Sequence, residues 1–94
     1  MMLKERFDQY EHEFLEDHRL TNRRHARKDI HAFLLLHDID PRPRDIVAAA
    51  EHDEIWFDTD IEKFEPVVTD EQIRELVWCG VFYDEETESL GMFV

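Results

Sequence analysis

The chain is poor in glycine, cysteine and serine. Its 94 residues include two glycines, Gly80 and Gly91, one cysteine, Cys79, and one serine, Ser89. Phosphate-binding loops and dinucleotide-binding motifs need several closely spaced glycines, because backbone N–H groups must approach the phosphates. A Gly-x-Ser-x-Gly nucleophile motif, an internal disulfide and a multi-cysteine zinc site are excluded in the same way.

The six histidines do not supply a metal site instead. They lie at least six residues apart, whereas a helical zinc site of the metalloprotease type needs two histidines at i and i+4. Cys79 follows an apolar helical pattern, which favours a packing role over a catalytic one. We therefore predict a protein that is not an enzyme and that uses no metal and no cofactor.

Long apolar runs are also missing. The longest, Ala32–Leu36 and Ile46–Ala50, have five residues each, whereas a helix that spans a bilayer needs roughly 20. The first residues become polar at once, and a lone cysteine fits a reducing compartment. We expect no membrane association and a cytoplasmic location, which is the host cytoplasm if the chain is phage-encoded.

Acidic residues are abundant, and they are unevenly distributed. The formal net charge is −13. Residues 1–50 contain 9 Lys/Arg and 10 Asp/Glu, a net charge of −1, whereas residues 51–94 contain 2 and 14, a net charge of −12. We call these parts the near-neutral half and the acidic half. Nearly all of the excess negative charge belongs to the second of them.

One segment of the near-neutral half is strongly basic. Between His18 and Lys28 there is no acidic residue, and the segment, called here the basic segment, contains Arg19, Arg23, Arg24, Arg27 and Lys28. Nucleic acid or an acidic partner could neutralise these cations. We favour intramolecular pairing, with the acidic half or with Glu13, Glu16 and Asp17, because carboxylates dominate the rest of the chain.

Three helices are predicted in the near-neutral half. Leu3, Phe7, Tyr10 and Phe14 fall on one helical face, which predicts a helix over residues 3–18. A second helix is predicted from an N-cap at Thr21 to about residue 37. A third is predicted from an N-cap at Asp40, with Pro41 as its first residue, to about residue 50. The Leu3–Phe14 stripe fits core packing better than a seam between subunits of an oligomer, whose state the sequence leaves open.

The acidic half changes to mixed periodicity. Residues 54–58 alternate like a strand, Thr59 and Thr69 each begin a capping-box pattern, and Gly80 is placed to end the second helix. Residues 81–94 form two apolar runs around a polar turn, which predicts a hairpin. The whole chain is thus predicted as a single α+β domain, residues 1–94, with a small antiparallel sheet and the order α-α-α-β-α-α-β-β.

From about residue 42 the predicted order, helix, strand, short helix, helix and hairpin, resembles a winged-helix domain. The spacing Ile73…Leu76-Val77…Gly80-Val81-Phe82 carries the rest of this resemblance. In that family the second helix of the pair usually enters the DNA major groove. Here that helix carries three carboxylates, Asp70, Glu71 and Glu75, and one cation, Arg74. DNA phosphates would repel this net negative charge. The resemblance implies, as an alternative function, a transcriptional regulator, adaptor or antitoxin that uses the basic segment.

Both tryptophans are predicted to stand among carboxylates. On a strand, Trp56 shares a face with Glu54 and Asp58, opposite Ile55 and Phe57. On its helix, Trp78 points away from the apolar face and has Glu71, Arg74 and Glu75 as neighbours. A tryptophan on an acidic face can anchor a protein interface. The other interpretation, packing of each ring beneath a neighbouring element, stays open at this point.

The acidic half matches nucleic acid in charge density. A compact chain of this length has a radius of gyration of about 12 Å and a diameter near 30 Å, and duplex DNA of that length carries roughly 18 charges. In size and charge the chain resembles phage-encoded anti-CRISPR and anti-restriction proteins. We predict an acidic inhibitor of a basic nucleic-acid-handling protein, acting partly by nucleic-acid mimicry and without direct nucleic-acid contact. Its predicted partner-binding residues are Glu54, Trp56, Asp58, Asp60, Glu71, Glu75, Trp78, Asp84, Glu85, Glu86 and Glu88.

Overall fold

The computed structural model describes residues 2–41 and 45–93 of the chain. Two short 3-10 turns, Glu11–Glu13 and Asp17–Arg19, separate the first helix from the second. The helices and strands, in chain order, are α1 Leu3–Asp8, α2 Lys28–Ile39, β1 Val47–Glu51, β2 Glu54–Phe57, α3 Ile61–Phe64, α4 Asp70–Cys79, β3 Val81–Asp84 and β4 Ser89–Phe93. The predicted α+β class is confirmed, but the order is α-α-β-β-α-α-β-β.

The four strands form one antiparallel sheet in the order β1-β2-β4-β3. Successive residues of a strand point to opposite faces. One face supplies buried side chains to the core, among them Phe57, Leu90 and Met92. The helices complete that core with Leu3 and Phe7 of α1, Ala32 and Leu35 of α2, and Ile73, Leu76 and Val77 of α4. The sheet is therefore covered on one face.

The dimensions agree with one compact domain. The radius of gyration is 12.1 Å and the extents are 28 × 28 × 25 Å. The apolar stripe of the first helix begins the core, since Leu3 and Phe7 are buried and Tyr10 and Phe14 pack against it half-buried. Core packing, rather than an exposed seam, is thus what this stripe does within the domain. Within residues 2–41 and 45–93, no helix is both long and apolar enough to cross a membrane.

The first predicted helix, residues 3–18, is wrong in length, because α1 ends at Asp8. The chain leaves the helix at Gln9 and bends so that Leu15, with a φ of 65°, donates its N–H to the carbonyl of Val77 at 3.1 Å. This bend turns Glu13 towards α4, whereas a continuous helix would have held that side chain in solvent. A tertiary contact thus overrides local helical periodicity.

The second predicted helix begins too early. The structure starts α2 at Lys28 rather than after Thr21, and it extends α2 to Ile39. Arg23 and Arg24 would lie in the first turn of a helix begun at Thr21, where the helix dipole disfavours cations. In the loop before α2, Arg23 donates instead to the carbonyl of Ala26, and the Arg24 N–H donates to Nδ1 of buried His31 at 3.1 Å.

The third predicted helix is a strand where the structure describes it. Residues 47–51 form β1, with Ala49 opposite Trp56 and Glu51 opposite Glu54. Residues 42–44 of the prediction lie outside the described residues. Alanine favours helices, but pairing with β1 satisfies the outer backbone groups of β2. The polar turn His52-Asp53 closes this hairpin, with His52 at a φ of 55°.

The remaining elements follow the prediction closely. β2 and the β3–β4 hairpin are present, and α4 has the predicted capping box, in which Thr69 Oγ1 accepts from the Gln72 N–H at 3.1 Å. Gly80 ends α4 in the left-handed conformation. The N-cap of α3 differs, because Asp60, rather than Thr59, accepts from the Glu62 N–H at 3.2 Å.

Candidate functional site

The uncovered face of the sheet brings several of the predicted binding residues together. Cross-strand pairing places Glu54 opposite Phe93, Trp56 opposite Gly91, and Asp84 opposite Ser89. Glu54 and Trp56 therefore share a face with the alternate residues of the other strands, while Ile55 and Phe57 point into the core, as predicted. We call this surface the open sheet face; it consists of Ala49, Glu51, Glu54, Trp56, Phe82, Asp84, Ser89, Gly91 and Phe93.

Aromatic rings occupy the centre of the open sheet face. Gly91 lies between Trp56 on β2 and Phe82 on β3. A Cβ atom at Gly91 would lie 2.9 Å from Cζ of Phe82, so the absence of a side chain lets that ring lie over the strand. Phe82 stacks on Phe93, with ring centroids 5.1 Å apart, and Phe93 is 51% exposed. Three aromatic side chains thus converge on a glycine.

The indole of Trp56 is held in place by a carboxylate. Its Nε1–H donates to Oδ2 of Asp84 at 2.9 Å, and Oδ1 of Asp84 accepts from the Glu86 N–H at 2.9 Å. The hydrogen bond from Trp56 is the main cause that lowers the pKa of Asp84 below its ordinary value. On its other flank, Trp56 borders an open groove whose walls include Ala49 and Glu88. The ring is therefore fixed in orientation and still accessible.

Carboxylates lie at both ends of the open sheet face. The β1–β2 turn carries Glu51, Asp53 and Glu54 at one end, and the β3–β4 turn carries Glu85, Glu86 and Glu88 at the other. Of these, Glu85 lies 3.3 Å from Nζ of Lys4. The others make no ion pair with a lysine or arginine among residues 2–41 and 45–93. Asp58 and Asp60 continue the chain beyond β2, where Asp60 caps α3.

The predicted residues of α4 lie elsewhere, because α4 packs on the covered side of the sheet. Glu71 is exposed there, and Glu75 lies 3.5 Å from Nε2 of His31. Trp78 is half-buried and packs against the core. Its Nε1–H donates to Oε1 of Glu13 at 2.7 Å. The predicted binding residues therefore lie on two separate surfaces, and the indole of Trp78 is bound to Glu13 within the domain.

Glu13 is the centre of that structural cluster, and the sequence prediction missed this role. It is 4% exposed, and its two carboxylate oxygens accept from Nε and Nη2 of Arg74 at 2.9 and 3.1 Å. The guanidinium of Arg74 lies 5.6 Å from the ring centroids of both Tyr10 and Trp78. Hydrogen bonds from Arg74 and then Trp78 lower the pKa of Glu13 to about 2. The single cation of α4 is thus bound to a carboxylate of the near-neutral half while its side chain stays 42% exposed.

The basic segment is neutralised within its own half of the chain. Its arginines pair with carboxylates of residues 1–50: Arg19 with Glu16, Arg23 with Asp17, Arg24 with Asp38, and Arg27 with Asp29. The hydrogen bond from Arg23 lowers the pKa of Asp17. The predicted pairing with Glu16 and Asp17 is confirmed, whereas pairing of this segment with the acidic half is not found among the described residues.

Cys79 offers no reactive thiolate. The side chain is fully buried at the end of α4, and burial raises its pKa to about 12. A thiol with such a pKa is almost entirely protonated at neutral pH.

The sequence prediction also missed Phe82, Gly91 and Phe93 as parts of the open sheet face. The sequence contained part of this information, since strand alternation puts Phe82 on the same face of β3 as Asp84, and Gly91 on the same face of β4 as Phe93. Their shared face with Trp56 depends on strand order, which alternation does not supply.

No protein-family model matches the chain, and comparisons with curated proteins and with solved structures give no significant match.

Proposed function

We propose that this chain is a small, non-catalytic, acidic protein that inhibits a basic nucleic-acid-handling protein, partly by presenting carboxylates in place of phosphates. The observation that carries the proposal is which carboxylates the basic side chains pair with. The arginines of the basic segment pair with carboxylates of the near-neutral half. Lys4 and Arg6 are the lysine and arginine of the near-neutral half that pair with described carboxylates of residues 51–94, at Glu85 and Asp70. Most of the net charge of −12 in residues 51–94 is therefore available to a basic surface.

The open sheet face supports the proposal as the contact surface. It combines an aromatic centre with a carboxylate rim, and protein interfaces commonly have an apolar, aromatic-rich centre within a polar rim. Trp56 stands at that centre with its ring orientation fixed by Asp84, and a preorganised tryptophan loses little conformational entropy on binding. The acidic turns at the two ends of the face would give fast, salt-sensitive association.

The test uses the partner itself. The immobilised full-length chain is exposed to a lysate of its native host, and retained proteins are challenged with duplex DNA and with rising salt. The proposal expects a basic nucleic-acid-binding protein that duplex DNA displaces and that ~500 mM salt releases, since screening weakens such contacts. Retention of proteins that DNA does not displace, with no effect of salt, would contradict it.

Matched variants locate the surface in the same assay. Glu86→Gln with Glu88→Gln removes two exposed charges from the rim, whereas Glu11→Gln with Glu62→Gln removes two exposed charges elsewhere. The proposal expects weaker retention for the rim pair only. An equal loss for both pairs would show that net charge alone governs binding.

The alternative is a winged-helix-like regulator, adaptor or antitoxin that uses the basic segment. One observation favours it: from α2 onward the chain runs helix, two strands, short helix, helix and hairpin, which is the winged-helix order with one additional strand. Two observations argue against DNA binding by α4 or by the basic segment. Arg74 of α4 is bound to Glu13, and the basic segment is paired internally.

A gel shift on mixed duplex DNA at ~50 mM salt separates the two functions, because phosphate contacts strengthen steeply as salt falls. A shift that Arg23→Ala and Arg24→Ala abolish would support the regulator. The inhibitor proposal expects no shift under the same conditions.

A further inference from the structure

We propose that the open sheet face binds arginine side chains of an extended segment of the basic partner, stacked on Trp56 and Phe93. This inference rests on the proposed function and names the chemistry that the surface selects. It goes beyond charge, because a carboxylate rim attracts lysine and arginine alike. What distinguishes them here is the aromatic centre.

The strand positions of Trp56 and Phe93 match the side-chain spacing of an extended chain. Trp56 pairs with Gly91, and Glu54 pairs with Phe93, so Trp56 and Phe93 are diagonal neighbours on adjacent strands. Such neighbours lie about 7–8 Å apart. Alternate side chains of an extended peptide, which point the same way, are separated by about 7 Å. Two cations at positions i and i+2 of one segment can therefore reach both rings together.

Each ring has a carboxylate beside it. Glu54 is the direct cross-strand partner of Phe93, and Asp84 accepts the indole N–H of Trp56. Glu54 also lies directly opposite Glu51 in the β1–β2 pair. Like charges at such positions repel, and a guanidinium between them would relieve that repulsion. The face thus offers stacking and charge neutralisation at the same places.

A small neighbour, Ala49, leaves one flank of the indole accessible. Trp56 stands opposite Ala49 on one side, whereas the Phe82 ring lies over Gly91 on the other, so the indole is accessible along its Ala49 flank. The groove along its Ala49 flank continues to Glu51 at one end and Glu88 at the other. A planar guanidinium stacks on an aromatic face more readily than an ammonium, because it is delocalised and more weakly hydrated. The groove thus combines an accessible indole flank with carboxylates, which is what a planar cation needs.

The experiment titrates the ¹⁵N-labelled full chain with two peptides at ~20 mM salt, Arg-Gly-Arg-Gly-Arg and Lys-Gly-Lys-Gly-Lys, which carry equal side-chain charge. The inference expects the arginine peptide to bind about fivefold more tightly. It also expects the indole N–H signal of Trp56 to shift with the arginine peptide while that of Trp78, bound to Glu13, stays in place.

Variants then separate stacking from charge. Phe93→Ala removes a half-exposed ring, and Trp56→Leu removes the indole. Leu34→Ala is the matched control, because Leu34 is 42% exposed on α2. The inference expects either ring variant to reduce the preference for arginine and the control to leave it unchanged, with folding checked by the dispersion of the amide spectrum.

The outcomes that overturn the inference differ from those that overturn the proposed function. Equal affinity for both peptides, lost at high salt, would refute arginine stacking and leave an acidic binding protein. Shifts confined to the amides of β1 would mean pairing at the strand edge and would refute stacking as well. No binding of either peptide at ~20 mM salt would refute both proposals.

Discussion

The near-neutral half and the acidic half differ in how far their charged side chains form ion pairs. In residues 1–50, arginines meet carboxylates a few residues away, as Arg23 meets Asp17 and Arg27 meets Asp29. In residues 51–94, carboxylates gather at the two sheet turns, where most have no described basic partner. Three ion pairs do cross between the halves: Lys4 with Glu85, Arg6 with Asp70, and Arg74 with Glu13. Folding nevertheless keeps much of the charge separation of the sequence, because the arginines of the basic segment are paired within residues 1–50.

Both tryptophans belong to the acidic half, and their indole N–H groups donate to carboxylates in contrasting surroundings. Glu13 of the near-neutral half is buried and binds Arg74 and Trp78 of α4. Asp84 of the acidic half binds Trp56 on the exposed sheet face. One carboxylate–indole pair joins the two halves, and the other orients a ring towards solvent. The same chemical contact thus serves stability in one place and a candidate interface in the other.

Glu13→Gln is expected to have the largest effect on stability among the substitutions considered. It removes the negative charge of a buried carboxylate that accepts hydrogen bonds from Arg74, whose side chain is 42% exposed, and from Trp78, and charge-assisted hydrogen bonds of this kind stabilise more than neutral ones. The Tm should fall by several degrees, while Glu11→Gln, an exposed neighbour, should leave it unchanged. An unchanged Tm for Glu13→Gln would remove the distinction between the two carboxylate–indole pairs.

Lowering the pH should destabilise the fold through protonation of Glu13. The folded-state pKa of Glu13 is about 2, below the ordinary 4.5, so its stabilisation is complete above about pH 4.5 and is lost as pH falls towards 2. Urea unfolding between pH 6 and 2 should show a smaller loss of stability for Glu13→Gln than for the unmodified chain. Parallel pH profiles would mean that Glu13 is not held ionised by Arg74.

Gly80→Ala tests the junction of the two halves. Gly80 has a φ of 97°, and an added Cβ atom would lie 2.7 Å from Cδ2 of Leu15. The left-handed backbone and the clash should together cost about 2 kcal/mol in the free energy of unfolding. Denaturant titration measures it. A cost of only about 1 kcal/mol would mean that Leu15 moves aside and the left-handed backbone alone is felt, and a neutral result would contradict the left-handed conformation of Gly80.

Gly91→Ala tests the open sheet face in the same way, with a smaller effect. The added Cβ atom would lie 2.9 Å from Cζ of Phe82, and this half-buried ring can move aside. The expected cost is about 1 kcal/mol, accompanied by loss of the Phe82–Phe93 stack and weaker binding of arginine peptide. If peptide binding is retained in full, the aromatic cluster is not the binding element.

Glu86→Gln with Glu88→Gln should have the smallest effect on stability and a clear effect on association. Both residues are exposed and make no ion pair with the described residues, so the Tm should stay equal or rise slightly as repulsion falls. The association rate with a basic partner should drop, which stopped-flow fluorescence measures. A destabilised variant would show that these carboxylates are neutralised within the fold.

Local patterns in the sequence predicted the parts of the fold that local contacts determine. The capping box at Thr69, the stop at Gly80 and the face of Trp56 are each decided within one element. The failures lie where distant residues decide. Leu15 binds the Val77 carbonyl and breaks the first helix, and β2 recruits alanine-rich β1 into the sheet.

The sequence predicted only part of the candidate surface, again because contacts between distant residues decide the rest. Glu54, Trp56 and Asp84 come together on the open sheet face, whereas Trp78 belongs to the Glu13 cluster. Alternation identifies which residues of a strand share a face, but strand order decides which faces merge. Gly91 shows this directly, since its role depends on Trp56 and Phe82 standing on either side.

The salt dependence of stability tests the central claim most directly. If repulsion within the acidic half outweighs the ion pairs that Lys4 and Arg6 form with it, added salt screens the repulsion and stabilises the fold. Thermal unfolding in ~20 mM and ~500 mM sodium chloride should give a higher Tm at the higher concentration, with a smaller gain for Glu86→Gln with Glu88→Gln. A lower Tm at high salt would mean that ion pairs between the halves dominate, and it would contradict the account.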